Sequence, residues 1–215
     1  MTAINSTSQA SLAAALEARA ISCMRGDRVL FSGLDLQVFA GQCLHIRGEN
    51  GVGKTSLLRL LTGLSSPDSG EVLWDGQSIK KESSNYQGKL LFLGHRDALK
   101  EDLSAIENLH MYAAIDGIVL SEQDAFTCLS RFGLNGREDL PVSCLSAGQK
   151  KRVLMARMVT RCAQVWILDE PFNALDAHAV KELQDLMVDH LESNGLVVLT
   201  SHQPLAIPGL RVLDL

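Results

Sequence analysis

The chain has 215 residues, of which 46% are hydrophobic, and its formal net charge is −5. This length and composition predict one compact unit with a sizeable core, and the acidic balance argues against a dedicated nucleic-acid binder, which would carry a basic excess. Five scattered cysteines without a C-x-x-C pair indicate neither a disulfide framework nor a zinc site. No run approaches the eighteen or so apolar residues that a membrane-spanning helix needs, so we expect no membrane span in this chain.

The first part of the chain predicts a short extension followed by a β layer. Residues 1–15 are rich in Ser, Thr and Ala and lack a basic segment followed by an apolar one, so we expect a poorly ordered extension rather than a secretory signal. Two alternating apolar segments, 16–23 and 34–39, are typical of antiparallel strands. Turn-prone residues separate these strands at 25–27 and at 32–33.

Residues 48–55 read Gly-Glu-Asn-Gly-Val-Gly-Lys-Thr, an uninterrupted match to the G-x-x-x-x-G-K-[ST] phosphate-binding loop. The glycines permit positive φ angles and close backbone approach to an anion. Lys54 would place a positive charge at the β- and γ-phosphates, and the Thr55 hydroxyl would be a ligand of Mg²⁺. A predicted strand at 42–47 and a predicted helix from about Gly53 flank the loop, and the helix adds its positive dipole end. The predicted nucleotide-binding residues here are Gly48, Glu49, Asn50, Gly51, Val52, Gly53, Lys54, Thr55 and Ser56.

Beyond this helix the sequence predicts a small β strand and then a helical insertion. Residues 71–74 are typical of a strand, and Asp75-Gly76 of a tight turn. An apolar strand is predicted at 90–93, and the pattern then becomes helical to about residue 140. We expect a helical subdomain at about 96–160.

The last part of the chain alternates helices with apolar strands. After a polar turn, a long basic helix is predicted to about residue 161, followed by a strand at 165–168, a helix at 177–193 and a strand at 196–200. Such alternation predicts a parallel sheet covered by helices on both faces. The expected fold is therefore α/β, with a mostly parallel core sheet, a small antiparallel β subdomain and a helical subdomain.

Two carboxylates, Asp169 and Glu170, directly follow the apolar strand, at the edge of the sheet where open α/β folds bind their ligands. This is a Walker B arrangement, in which Asp169 would hold Mg²⁺, directly or through water, and Glu170 would orient and deprotonate the attacking water. The plainer alternative is an acidic pair in a solvated turn. The apolar strand before the pair and the phosphate loop in the same chain favour the Walker B interpretation.

Residues 145–149, Leu-Ser-Ala-Gly-Gln, together with the motifs above, resemble the LSGGQ signature of ATP-binding cassette (ABC) proteins, with Ala147 replacing the first glycine. The resemblance covers residue 16 or so to the C-terminus. It implies that Ser146, Gly148 and Gln149, at the start of a helix, complete the ATP site of a second copy of the chain. On its own, Ser146 is also explained as a helix N-cap. Ala147 should be tolerated if its φ angle is ordinary.

Two further segments match the same family. Residues 173–176 resemble the D-loop, which runs along the dimer interface, and Ser201-His202 resembles the switch histidine that touches the γ-phosphate and positions the water. A lone histidine after a strand is more often a surface or core residue, but its spacing from the other motifs favours a functional role. The resemblance thus implies Glu170, His202 and Lys54 as the catalytic residues.

Two positions depart from the family pattern. The glutamine that senses Mg²⁺ and the γ-phosphate in the Q-loop is replaced by His95, whose imidazole is able to ligate a metal or form a hydrogen bond. The predicted metal ligands are therefore Thr55, Asp169 and His95. The aromatic residue that stacks on adenine should lie near Met24 or Arg25, and neither is aromatic; stacking on Arg25 or a thioether contact would replace it.

Several segments narrow the resemblance to the ATP-binding subunits of bacterial cytochrome c maturation. They are 60–64, 70–74, 94–95, 107–110, 145–149 and 200–204. This resemblance implies a homodimer of ATPase subunits that uses ATP and Mg²⁺ and couples hydrolysis to heme handling or export. It also implies an integral membrane permease subunit (CcmB-like) and other cytochrome c maturation proteins as partners, no nucleic acid, and a peripheral location on the cytoplasmic face of the inner membrane.

Three alternatives stay open at this point. The chain would also fit the ATPase subunit of another ABC transporter. A non-transport ABC protein acting on ribosomes or DNA usually carries two cassettes or a long coiled-coil insertion, and this sequence has neither. A nucleotide-dependent scaffold without turnover is the third alternative.

Overall fold

The computed structural model describes residues 15–94 and 98–215. All but the last residue of the predicted N-terminal extension, and His95, lie outside the described residues. The described strands are β1 (Leu16–Arg25), β2 (Arg28–Val38), β3 (Cys43–Arg47), β4 (Ser69–Trp74), β5 (Gln77–Ser78), β6 (Leu90–Leu93), β7 (Val165–Asp169), β8 (Leu196–Thr200) and β9 (Arg211–Asp214). The described helices are α1 (Lys54–Leu61), α2 (Ser83–Lys89), α3 (Ala105–Ile115), α4 (Glu122–Arg131), α5 (Ala147–Thr160) and α6 (Ala177–Glu192), with a 3₁₀ turn at Val142–Cys144.

The first layer is an antiparallel sheet with strand order β2-β1-β4-β5. The strands predicted at 16–23, 34–39 and 71–74 are confirmed as β1, the second half of β2 and β4. The predicted turn at 32–33 is wrong, because these residues lie inside β2. Between the pairs Ile21–Leu34 and Cys23–Phe31, β2 contains one more residue than β1, which makes a β-bulge. Gly33 has a φ of +65°, so the glycine that suggested a turn serves the bulge instead.

The hairpin between β4 and β5 turns at Asp75-Gly76, as predicted. Both residues have positive φ angles, +48° and +77°, the combination that a two-residue type I′ turn requires. The β5 strand was not predicted, since it contains only two residues.

The second sheet is entirely parallel and has the order β6-β7-β8-β3-β9. Every residue of β7 and β8 is buried, which explains why both strands read as continuous apolar runs. Alternate side chains of the two strands point to opposite faces. Val165, Ile167 and Val198 pack in one core cluster with α1, whereas Trp166 and Val197 pack in another with α5 and α6. The prediction of a parallel sheet covered on both faces is therefore confirmed.

Helix α1 contacts both sheets, because it packs against β1, β7 and β8. Its buried leucines, Leu57, Leu58 and Leu61, share a core with Leu16 and Ile21 of the antiparallel sheet. The phosphate loop at the start of α1 is thus held between two sheets.

Helices α3, α4 and α5 lie between β6 and β7 in the chain, and α3 and α4 both pack against α5. They occupy the segment predicted as a helical subdomain, about 96–160, whose status as a separate subdomain stays a prediction. Besides β5, the polar helix α2 and the strand β9 were not predicted; β9 is an edge strand whose residues are mostly exposed.

His190, near the end of α6, is a partly buried histidine that packs against the core. Its ring stacks on Trp166 of β7, with 3.9 Å between ring centroids and 5° between ring planes. Burial lowers the pKa of His190 below its ordinary value of 6.5. The unfolded chain therefore binds this proton more readily than the folded chain does.

We expect the free energy of unfolding to fall as the pH drops below about 6.5, where the unfolded state gains the His190 proton first. His190→Gln removes this proton site, so the fall with pH should be shallower in the variant even where its stability is lower. Urea denaturation at a series of values between about pH 8 and pH 5 measures both slopes. His178→Gln, at an exposed position on the same helix, is the matched control. Equal slopes in the wild type and His190→Gln would contradict this interpretation.

Candidate nucleotide-binding site

The predicted phosphate loop joins β3 to α1, and its glycines adopt conformations that other residues rarely take. Gly48, Gly51 and Gly53 have φ angles of +148°, +83° and +121°. A Cβ on Gly53 would lie 3.2 Å from the Cβ of Leu30, and one on Gly48 would lie 2.9 Å from Val52 Cγ1. Gly48 and Gly53 are therefore packed too tightly for a side chain, whereas at Gly51 only the positive φ angle favours glycine. The loop leads directly into the N-terminus of α1, where backbone N–H groups are able to bind an anion.

Lys54, the first residue of α1, folds back over the loop. Its ammonium group donates hydrogen bonds to the carbonyl oxygens of Gly48, at 2.7 Å, and Glu49, at 3.1 Å. These bonds use two of the three N–H donors of the group. The positive charge is consequently held inside the curve of the loop.

Thr55 and Asp169, two of the three predicted metal ligands, are brought together. The Thr55 hydroxyl donates to Asp169 Oδ2 at 2.9 Å, and the Thr200 hydroxyl donates to Asp169 Oδ1 at 2.7 Å. Asp169 is 4% exposed, so its carboxylate is held between α1 and β8. A carboxylate beside a hydroxyl is a hard oxygen donor set that fits Mg²⁺.

Glu170 follows in a conformation that is unusual for a residue with a side chain, with a φ of +51°. Its N–H donates to the Thr200 hydroxyl at 2.9 Å. Its Oε1 is buried, accepts no hydrogen bond from the described residues, and lies 3.4 Å from His202 Nε2. A buried carboxylate oxygen without a donor is able to accept a proton, and strained backbone of this kind is concentrated at functional sites.

A side chain of β3, that of His45, contacts the segment that carries His202. The buried ring of His45 lies with Nε2 3.0 Å from the carbonyl oxygen of Ser201. A carbonyl oxygen only accepts, so Nε2–H of His45 is the donor of this bond. Burial lowers the pKa of His45. His202 itself is largely exposed, with 58% of its side chain accessible.

The loop, the start of α1 and the ends of β7 and β8 together form one cleft with a volume of about 640 Å³. Predicted site residues that line it are Asn50, Gly51, Gly53, Lys54, Thr55, Ser56, Asp169, Glu170 and His202. Gly48, Glu49 and Val52 belong to the loop but do not line the cleft. The predicted catalytic residues therefore lie together with six of the nine nucleotide-binding residues predicted in the segment 48–56.

The β1–β2 hairpin forms another wall of this cleft. Arg25, one of the two residues considered for contact with adenine, lines the cleft, whereas Met24 does not. Arg28 and Leu30 were not predicted, and nothing in their local sequence marks them. Asn173 also lines the cleft and belongs to the segment that resembles a D-loop.

The signature residues lie at the start of α5 and do not line the cleft. The Ser146 hydroxyl accepts from the Gln149 N–H at 3.2 Å, and Gln149 Oε1 accepts from the Ser146 N–H at 2.9 Å, which is a capping box. The structure thus confirms that Ser146 is the N-cap of α5. Ala147 has no positive φ angle, and a Cβ on Gly148 would lie 3.2 Å from the Ala174 carbonyl oxygen. A contact with a second copy stays a prediction, and His95 lies outside the described residues.

Within residues 15–94 and 98–215, no helix is both long and apolar enough to cross a bilayer.

Comparison with known proteins supports the family resemblance. The family model described as "ABC transporter" matches residues 31–173. The chain is 46% identical over 197 residues to the cytochrome c biogenesis ATP-binding export protein CcmA of Nitrosospira multiformis, covering 92% of this chain and 96% of that protein. It is 49% identical over 197 residues to the protein of the same name from Escherichia coli strain K12, covering 92% and 93%.

Solved structures share the fold. A putative ABC transporter ATP-binding protein from Pyrococcus furiosus superposes with a TM-score of 0.80 at 24% identity, covering 93% of this chain and 96% of that one. An ATP-binding cassette solved as a dimer in a post-hydrolysis state, bound to ADP and phosphate, superposes with a TM-score of 0.76 at 22% identity, covering 87% and 88%. The α/β fold with a P-loop is therefore that of ABC ATPase domains, and the chain belongs to the ABC transporter family.

Proposed function

We propose that this chain is the ATP-hydrolysing subunit of a membrane ABC transporter complex that handles or exports heme in the biogenesis of c-type cytochromes. The observation that carries the proposal is the convergence of Lys54, Thr55, Asp169, Glu170 and His202 on one cleft. A cation, two hard oxygen donors, a buried carboxylate and an imidazole are the groups that phosphoryl transfer to water requires.

The loop 48–53 and Lys54 would bind the phosphates. The loop backbone can approach the anion closely, and the first amides of α1 point their positive dipole end at it. Lys54, already held inside the curve of the loop by two carbonyl bonds, would bring its charge to the β- and γ-phosphates. Ser56, the next residue of the cleft wall along α1, would contact the same phosphates.

Thr55 and Asp169 would hold Mg²⁺, because their oxygen atoms already lie 2.9 Å apart at one end of the cleft. When bound, Mg²⁺ supplies neutralisation of the phosphate charge that develops during transfer. His95, which lies outside the described residues, is proposed as the third member of this set.

Glu170 would act as the general base toward the attacking water, because its Oε1 is buried and accepts no hydrogen bond from the described residues. His202, 3.4 Å away, would position the same water and contact the γ-phosphate.

His202 lines the cleft and its side chain is largely exposed, and we propose that a second copy covers it. Ser146, Gly148 and Gln149 at the start of α5 would contribute their helix N-terminus to the γ-phosphate held by the partner copy. The dimer with ADP and phosphate described for a protein of the same fold supports this arrangement. The chain would accordingly form an ATP-dependent homodimer, with residues 16–215 acting as one ATP-binding domain.

The proposed coupling rests on the relatives. Proteins with 46–49% identity over most of this chain are named cytochrome c biogenesis ATP-binding export proteins. We propose that this chain likewise binds an integral membrane permease subunit (CcmB-like) and other cytochrome c maturation proteins at the cytoplasmic face of the inner membrane. Nucleic acid is not an expected partner.

Glu170→Gln should lower the rate of phosphate release by about a hundredfold or more, because an amide cannot accept the proton of the attacking water. Nucleotide binding should persist, and the variant should accumulate as a dimer in ATP, which size-exclusion chromatography would detect.

The assay of phosphate release uses the full chain purified with its membrane partners in detergent. Glu192→Gln, at an exposed position at the end of α6, is the control and should match the wild type. Wild-type turnover in Glu170→Gln would refute the catalytic assignment and favour a scaffold without hydrolysis.

Deletion of the gene in the native host should abolish covalently bound heme in membrane proteins, detected by heme staining after denaturing electrophoresis. The wild-type gene should restore the staining, whereas the Glu170→Gln gene should not, since coupling requires hydrolysis. Normal c-type cytochromes in the deletion strain would contradict the proposed role in cytochrome c biogenesis. This result would not bear on ATP hydrolysis, which the Glu170→Gln assay tests separately.

A further inference from the structure

Thr200, the last residue of β8, forms two hydrogen bonds with the acidic pair of the neighbouring strand. Its side chain is fully buried, at 0% exposure. The hydroxyl donates to Asp169 Oδ1 at 2.7 Å and accepts from the Glu170 N–H at 2.9 Å. Thr200 and Asp169 are directly paired across the parallel strands, so the register of β7 and β8 fixes this contact.

The two bonds determine each other's direction. A hydroxyl has one proton, and here it points to the Asp169 carboxylate, which leaves a lone pair facing the Glu170 N–H. Asp169 Oδ2 is bonded from the other side by Thr55. The plane of the carboxylate is therefore held by α1 through one oxygen and by β8 through the other.

The second bond supports a strained peptide. Glu170 has a φ of +51°, which is unfavourable for a residue with a Cβ and persists only where its surroundings enforce it. The Glu170 N–H donates to the Thr200 hydroxyl in a partly buried position. Loss of this acceptor would cost the free energy of leaving that N–H without its hydrogen bond. The conformation aims the Glu170 side chain toward His202.

We propose that Thr200 is a positioning residue that sets the orientation of the Asp169 carboxylate and of the Glu170 peptide at once. It thereby links the site for Mg²⁺ to the general base, although it touches neither substrate nor metal itself. The inference rests on the proposed function, because the roles of Asp169 and Glu170 are those given there. Groups that orient metal ligands typically contribute about ten- to a hundredfold to metal affinity or activity.

The test compares Thr200→Val, which removes the hydroxyl, with Thr200→Ser, which keeps it. Thr62→Val is the control, since Thr62 is also fully buried and its hydroxyl also donates one hydrogen bond and accepts one from a backbone N–H. The Thr62 hydroxyl donates to the Arg59 carbonyl oxygen at the end of α1, whereas the Thr200 hydroxyl donates to a carboxylate. Three quantities are measured on the full chain: kcat and KM for ATP, the Mg²⁺ concentration that half-saturates binding of a fluorescent ADP analogue, and binding of that analogue in EDTA.

Thr200→Val should lower kcat and raise the required Mg²⁺ concentration, each by about tenfold, with little change in KM or in binding in EDTA. Thr200→Ser should restore most of both losses. Thr62→Val should lower thermal stability without these changes, which separates positioning from a general loss of stability. If Thr200→Val does not fold, the smaller Thr200→Ala takes its place in the comparison with Thr200→Ser.

The inference is overturned if Thr200→Val or Thr200→Ala keeps wild-type kcat and Mg²⁺ dependence, or if Thr200→Ser is as impaired as they are. This failure is distinguishable from failure of the proposed function. Wild-type activity in Glu170→Gln would contradict the proposed function. An inactive Glu170→Gln together with a normal Thr200→Val would contradict only the positioning role of Thr200.

Discussion

The site depends on a chain of hydrogen bonds that runs from Thr55 through Asp169 and Thr200 to the Glu170 N–H. It joins the first turn of α1 to the ends of β7 and β8. Hydrogen bonds to a charged group contribute about 1.5–3 kcal/mol each, and more is lost when one partner is removed from a buried pair. Because Asp169 is almost fully buried, loss of either hydroxyl partner would leave its carboxylate less well stabilised.

The rest of the fold keeps these three elements in register. Parallel pairing brings the carboxyl ends of β7 and β8 to the same edge of the sheet, and both strands are buried on both faces, so neither can shift alone. Helix α1 packs against both sheets, which fixes the phosphate loop relative to that edge. Asp169 and Glu170 are thus placed by buried, paired strands, while the His202 side chain is largely exposed.

The parts of the fold that sequence predicts well have local causes. The phosphate loop is predictable because its glycines are needed for φ angles such as +121°. The strands β7 and β8 are predictable because their sequences are uninterrupted apolar runs. The predicted turn at 32–33 is wrong because a glycine at φ +65° serves a bulge as well as a turn, and the choice depends on the partner strand. The edge strand β9 was missed since exposed strands carry little apolar pattern.

Within the site, sequence motifs identify the groups that face the cleft but not those behind them. Thr200 and His45 act through strand pairing with residues 31 and 156 positions away, which no motif spacing encodes. Arg28 and Leu30 reach the cleft only because the β1–β2 hairpin folds beside the loop. The family resemblance, confirmed by the ABC transporter model and the relatives, came from several short motifs together, whereas Ser146 alone is a capped helix start.

The central claim is that ATP binds between the phosphate loop and the ends of β7 and β8. Amide hydrogen exchange of the full chain, with and without a non-hydrolysable ATP analogue and Mg²⁺, tests this claim most directly. Slowed exchange on binding should be centred on residues 48–56, 169–173 and 200–203. Binding that slows exchange elsewhere in the chain and leaves these three segments unchanged would contradict the account.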